Sequence, residues 1–467
     1  MSGELFSNPR EDATRIVLAA ISAANPKEGV KRSCRIAGND VAVGTWHRRA
    51  EDIGRILVVG AGKASAHMAT ALEQVLGDRI TSGIVITKYG HGVPLRRIRV
   101  AEAGHPVPDE QGVEATLELM RHVEGSTPDD VIFVLLSGGA SSLLVAPAQG
   151  ITLADKKTTT AVLLSCGATI QELNCVRKHL SRVKGGQLLR ACGSAQVVSL
   201  ILSDVIGDPL DVIASGPTVP DPTTFRDALG IVDRLGIRGS LPPRVVSHLE
   251  AGARGEHPET PKPDEGSFST SHTALVGTNS IALKGAACEA ERRGYRSHIL
   301  TSSLRGEASE AAKVVCALAE GVPARGGPTA LILGGETTVT LSPDAGKGGR
   351  NQEFALSAAR EIRGRTNITL ASVGTDGTDG PTDAAGGLVD GATWERAIRC
   401  GFSPDVALQR HDAYPLLRAT GDLVMTGPTG TNVMDVIVVL VVPDKKPAGQ
   451  SSDPRTNNTV SANQRCF

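Results

Sequence analysis

Short runs of branched apolar residues, most of them bounded by glycine or serine, recur along the chain with room for a helix between several of them, and this pattern decides the fold class. Arg55–Val59, Gly83–Thr87, Val131–Leu136 and Gln196–Leu202 read as strands. Helix-like segments between several of them predict a parallel α/β sheet. Strand-like runs resume at Thr273–Gly277, Ser297–Leu300, Ala330–Leu333, Thr337–Leu341, Ile368–Val373 and Val433–Val442, and residues 11–25 carry the apolar spacing of an amphipathic helix. Between the two sets, Arg238–Ser269 is rich in proline, glycine and charge and lacks apolar periodicity, which reads as a linker. A chain of 467 residues is too long for one ordinary core. Two domains are therefore expected, 10–240 and 270–443, followed by a polar tail, 444–467, expected to be mobile.

Lys plus Arg (49) balances Asp plus Glu (50), and aromatic residues make up only 3%. Neither a nucleic-acid footprint nor attraction to anionic lipid is expected, so any anionic ligand must be held by local groups. The eight cysteines show no CxxC pairing, which argues against a zinc site or a disulfide framework and favours a reducing cytosol. No apolar run reaches the length of a membrane span. A cytoplasmic protein is expected.

Several strand ends carry chemistry. Gly60-Ala-Gly-Lys63 follows a strand and opens a helix-like segment, so loop amides at Gly60 and Gly62 could meet an anion, with Lys63 adding a charge. The spacing is neither the phosphate-loop motif nor GxGxxG, and Lys88-Tyr89 stands where a dinucleotide site needs an acid. Ser137, Gly138, Gly139 and Ser141 form a second small-residue loop suited to phosphate oxygens, or simply a turn. Asp204 and Asp208 end another strand and could hold magnesium or a substrate hydroxyl. Just upstream, Arg177–Lys184 brings five basic or imidazole side chains together, either an anion site or a solvated helix face. Arg350 sits at the end of a glycine loop, its guanidinium free for a carboxylate or phosphoryl group unless Glu353 pairs with it. Asp376, Asp379 and Asp383 crowd one glycine-rich loop with no basic residue between them, as a cation site or an Asx-rich turn would.

In this order, Gly60–Lys63, Ser137–Gly139, Lys178–Arg182, Ser203–Val205 with Ile213–Thr218, Gly349–Glu353, Gly374–Gly377 and Thr429–Asp435 resemble the glycerate 2-kinase family carrying the MOFRL domain, over about residues 10–442. The resemblance implies an α/β protein of two domains: an N-terminal Rossmann-like parallel sheet flanked by helices, and a C-terminal α/β domain with a mixed sheet, the active site lying in the cleft between them. It implies ATP- and Mg2+-dependent phosphorylation of D-glycerate at its 2-hydroxyl, with Lys63 and Arg350 as the active-site groups. Gly60, Gly62, Ser137, Gly138, Gly139 and Ser141 are then the expected nucleotide contacts. Lys178, Arg182, Glu336 and Asn351 are the expected substrate contacts, and Asp204, Asp208, Asp376 and Asp379 the expected metal ligands. Partners would be D-glycerate and ATP, without nucleic acid or membrane, and a homodimer is a candidate assembly. Family members have carried the name hydroxypyruvate reductase, so NAD(P)H-dependent reduction is the rival activity, and a non-catalytic sugar-acid binder a second rival.

Overall fold

The computed structural model describes residues 8–323 and 326–443, and the tail expected to be mobile lies outside them. An antiparallel meander of β1 (Cys34–Ala37), β2 (Asp40–Val43) and β3 (Trp46–Arg49) precedes two six-stranded sheets. The first sheet holds β4 (Ile56–Ala61), β5 (Ile80–Lys88), β6 (Ile98–Ala103), β7 (Val131–Leu136), β8 (Gln196–Leu202) and β9 (Ser271–Gly277). Its spatial order is β6-β5-β4-β7-β8-β9, with every neighbour parallel. β4 and β7 are buried along their whole length, which is why they read as unbroken apolar runs instead of alternating ones. The winding direction reverses between β4 and β7, so the loops at their carboxyl ends part and leave a crevice.

The second sheet holds β10 (Arg296–Leu304), β11 (Thr329–Gly335), β12 (Ile368–Gly374), β13 (Gly386–Asp390), β14 (Leu423–Val424) and β15 (Asp435–Val441), in the order β10-β11-β15-β12-β13-β14. β10 and β11 are parallel, whereas β15 runs antiparallel to both β11 and β12, so the sheet is mixed as expected. Asp435, the first residue of β15, lies in register with Gly335 and Gly374, the last residues of its two neighbours. A carboxylate is thereby set between two glycine-ended strands.

The sheets correct the expected boundary. Thr273–Gly277, read as opening the second unit, is part of β9 and pairs with β8 at the edge of the first sheet. The supposed linker contains the helix Pro243–Ala253, whose Val245 and Leu249 are buried in a cluster with Phe225 and Val232. Three helical turns gave the apolar period too little chain to show itself. The helix expected over 11–25 forms as Pro9–Ala23, opened by Asn8, whose side chain accepts from the amides of Arg10 and Glu11, and by Pro9 in the first turn. It packs against the helix Asn279–Arg292 and against β12 and β15, and Arg10 bridges Asp390 and Asp422. The chain thus begins on the second unit, builds the first and returns. One apolar cluster joins the two, from Val58 and Phe133 through Ala20 and Leu283 to Ile332 and Val436. Thr337–Leu341 is not a strand: beyond Gly335 (φ 146°) the backbone leaves the sheet, and only an isolated bridge from Thr338 to Glu307 remains.

Candidate active site

The first half of the site is built where β4 and β7 end. A Cβ on Gly60 would lie 2.1 Å from the Leu135 carbonyl oxygen, and one on Gly62 (φ 136°) would lie 2.2 Å from Ser137 Oγ. These glycines let the two strand ends close on each other. The cradle of free amides expected here is corrected by the hydrogen bonds: the amides of Gly62, Lys63, Ala64 and Ser65 donate to Ile86 O, Gly138 O, Ser137 Oγ and Gly62 O. What the loop offers is the Lys63 side chain. It lines a cavity of about 610 Å³ with His67, Lys88 and His91 on the first unit and Asp376, Thr378 and Gly430–Asn432 on the second. In the following loop the amides of Gly138 and Gly139 have no protein acceptor among the described residues, so the expected oxyanion role stays open there. Asp204 and Lys63 both pack on that loop: a Cβ on Gly138 would lie 2.1 Å from Asp204 Oδ2, and one on Gly139 would lie 3.2 Å from Lys63 Cε.

The electrostatics agree with this placement. Burial and then Lys63 and Lys88 lower the pKa of His105, and burial, Lys88 and Lys63 lower that of His91. Burial raises the pKa of Asp204, against the pull of Lys63. In an NMR titration His105 should therefore have its midpoint below the ordinary imidazole value of 6.5 and move up towards it in Lys63→Ala. An unmoved midpoint would place the ammonium elsewhere.

The second half forms around the helix Arg350–Glu361. Its N-cap residue, Gly349, has no side chain to cap it, and Asp379 from the loop after β12 takes that role. The Asp379 carboxylate accepts from the amides of Asn351 (3.1 Å) and Gln352 (2.9 Å) and from both of their side chains. Arg350 occupies the first helical position. Its Nε and Nη2 form a fork on Asp435 at 2.7 and 3.0 Å, and its Nη1 lies 3.0 Å from Glu336 Oε1. Glu353, the alternative partner, lies instead 3.3 Å from His411. The pKa of Glu336 is raised by burial against Arg350, and further by Asp435, Asp204 and Asp376. Asp204 thus feels the charge of Lys63, and Glu336 those of Arg350 and Asp204.

Comparison with known proteins decides the family. Residues 12–250 match the model described as domain of unknown function DUF4147, and residues 329–435 match the MOFRL family. A glycerate 2-kinase of Pyrococcus horikoshii is 43% identical over 436 residues, covering 92% of this chain and 97% of its own. The crystal structure of a Thermotoga maritima glycerate kinase superposes with a TM-score of 0.83 at 40% identity, covering 93% of this chain and 99% of that one. The chain belongs to the glycerate kinase family. A family member from Agrobacterium vitis, 44% identical over 438 residues and covering 92% of this chain and 94% of its own, carries a provisional hydroxypyruvate reductase name.

Within this glycerate kinase fold, several expected site residues do other work. Asn351 is 2% exposed, and its side chain is used up between Asp435, Asp379 and Ser372, so it positions carboxylates and does not face substrate. Lys178 is buried on Asp221 at 3.3 Å, with Asp211 at 3.7 Å, and Arg182 is exposed and lines none of the cleft cavities. The acidic loop splits its three carboxylates: Asp376 faces the cleft, Asp379 caps the helix at 3% exposure, and Asp383 accepts from the Tyr414 hydroxyl at 2.6 Å. Like-charge crowding is relieved by separation, and Asp379 turns both its oxygens to N–H donors at the helix end. Asp208 sits in a turn at φ 53°, outside the cavity that Ile206 and Pro209 line. Asp435 was not among the site residues expected from the sequence. Its signal was a charge placed at the head of an otherwise apolar buried strand.

Proposed function

We propose that this protein transfers the terminal phosphoryl group of ATP, with Mg2+, to the 2-hydroxyl of D-glycerate, giving 2-phosphoglycerate, in the cytoplasm. The observation that carries the reading is that Lys63 from one unit and Arg350 from the other line neighbouring cavities, joined by a third cavity that holds Asp204 and shares Gly138 with the first and Glu336 with the second. Phosphoryl transfer depends on positioning and on neutralising the oxygens of the transferred group. Lys63 suits the donor phosphates, and Arg350, held at a fixed angle by Asp435, suits the group in flight. Asp204, half-buried and with raised proton affinity, would orient the acceptor hydroxyl and take its proton.

The described residues contain no group of three or more acidic, histidine or cysteine side chains set to hold a metal. Magnesium commonly uses one or two carboxylates and completes its shell with phosphates and water. Asp204 and Asp376 fit that smaller demand, since both line the cleft and both raise the proton affinity of Glu336. When bound, the ion would neutralise charge on the β and γ oxygens.

The reductase reading is disfavoured because β5 ends at Lys88 and Tyr89 follows, where a dinucleotide site places an acid on the ribose, and because the first loop spends its amides internally. The test is one assay with ATP, Mg2+ and D-glycerate in which 2- and 3-phosphoglycerate are resolved, beside NAD(P)H with hydroxypyruvate. ATP-dependent 2-phosphoglycerate is expected. Hydroxypyruvate-dependent NAD(P)H oxidation without ATP consumption would overturn the proposal.

A further inference from the structure

We propose that the cavity beside the Ser137–Ser141 loop is a carboxylate pocket, built by Asn174 and Arg177 from the first unit and Arg305 from the second, that seats the acid group of a small 2-hydroxy acid. This rests on the phosphotransfer reading above and adds to it the groups that recognise the acceptor.

The cavity, of about 440 Å³, lies between the two loops that follow β7 and β8 and the helix Ile170–His179. Asn174 on that helix is 4% exposed, and its Oδ1 accepts from Ser215 Oγ at 2.9 Å. Its Nδ2 is buried without a partner. A buried amide donor left unpaired costs most of its desolvation energy, and this one belongs to a residue that lines the cavity. Three residues on, and so on the same helix face, Arg177 lines the same cavity. Its Nη2 lies 3.3 Å from the Ser141 carbonyl oxygen, and it has no carboxylate partner among the described residues. Lys184, buried behind it, donates only to the carbonyls of Ser141 (2.9 Å) and Ala214 (3.5 Å). Burial and the nearby Arg177 push the pKa of Lys184 well down, so the charge left without a counter-ion at this end is that of Arg177, and an anion would relieve it.

Arg305 supplies the same chemistry from the other unit: it is exposed, lacks a carboxylate partner among the described residues, and lines both this cavity and that of Arg350. The same lining also carries Asp204, packed on Gly138, and Glu336, whose amide donates to Leu304 O beside Arg305. A polyphosphate there would press its charge against two carboxylates, whereas a hydroxy acid sets its carboxylate on Arg177 and Asn174 and its hydroxyl towards Asp204, beside Lys63. The donor phosphates then belong to the neighbouring Lys63–Lys88 cavity.

Asn174→Asp tests the pocket because it keeps the acceptor used by Ser215, replaces the unpartnered donor by an acceptor and adds a negative charge near Arg177, and a thermal melt checks that it remains folded. Arg305→Ala is a surface change made for the same purpose. Asn174→Asp should raise the KM for D-glycerate by about 30-fold and Arg305→Ala by about fivefold, each leaving the KM for ATP within about twofold. A rise in the KM for ATP with that for D-glycerate unchanged would make this a phosphate site. No change in either constant would make the unpaired amide incidental. Thermal shift with the acceptor alone separates this question from the kinase reading. Even if the wild type consumed no ATP, D-glycerate should raise its Tm, glycerol should not, and Asn174→Asp should abolish the shift. Equal shifts with D-glycerate and glycerol, or an undiminished shift in the variant, would overturn the pocket.

Discussion

Lys63→Ala should lower kcat by about 10³-fold, the scale on which a single preorganised charge contributes to a transition state, while Tm stays within a few degrees of wild type. The two readouts separate because the two parts of the residue do different work. The backbone amide of Lys63 holds the β4 loop to Gly138 O at 2.9 Å, and alanine keeps that bond. The side chain lines the cleft without an ion-pair partner at bridging distance among the described residues, so its loss strips charge from the ligand and no contact from the core. Steady-state kinetics beside a thermal melt check this, and turnover near wild type would remove Lys63 from the chemistry.

Arg350→Ala should show the opposite coupling: turnover falls on a similar scale, and the protein is also destabilised by about 3 kcal/mol, because a buried carboxylate loses its counter-ion. Asp435 is 2% exposed and relies on the Arg350 fork at 2.7 and 3.0 Å. Adding Asp435→Asn to the alanine variant removes the orphaned charge and should restore part of the stability in urea titrations, with no return of activity. A single variant as stable as wild type would mean that the pair contributes little to the fold. On the proposed reading Arg350 acts both as a ligand group and as a structural ion, unlike Lys63.

The difference between these two cations shows what a sequence can reveal. Strands of the first sheet were legible because both their faces are buried, so β4 and β7 carry uninterrupted apolar runs. Lys63 and Arg350 were legible because each follows a strand or opens a helix through glycine. The domain boundary was not, since pairing of β9 with β8 and packing of the helix Pro9–Ala23 on the second sheet are long-range events with no local signature. Choosing between neighbours was equally out of reach. Arg177 and Lys178 are adjacent on one helix and about 100° apart around its axis, so one faces the cleft and the other an internal Asp221. In the loop after β12, turn geometry sends Asp376 to the cleft and Asp379 under a helix end, though both stand in Thr-Asp-Gly. Residue type suggested the chemistry, and tertiary packing selected which copy lines the cleft.

The central claim, that cations from two units act on one phosphoryl group, is tested most directly by a crystal structure with Mg2+, a non-hydrolysable ATP analogue and D-glycerate. The γ-phosphate should lie within hydrogen-bonding distance of both the Lys63 ammonium and the Arg350 guanidinium. A triphosphate seated where either cation cannot reach it would contradict the claim.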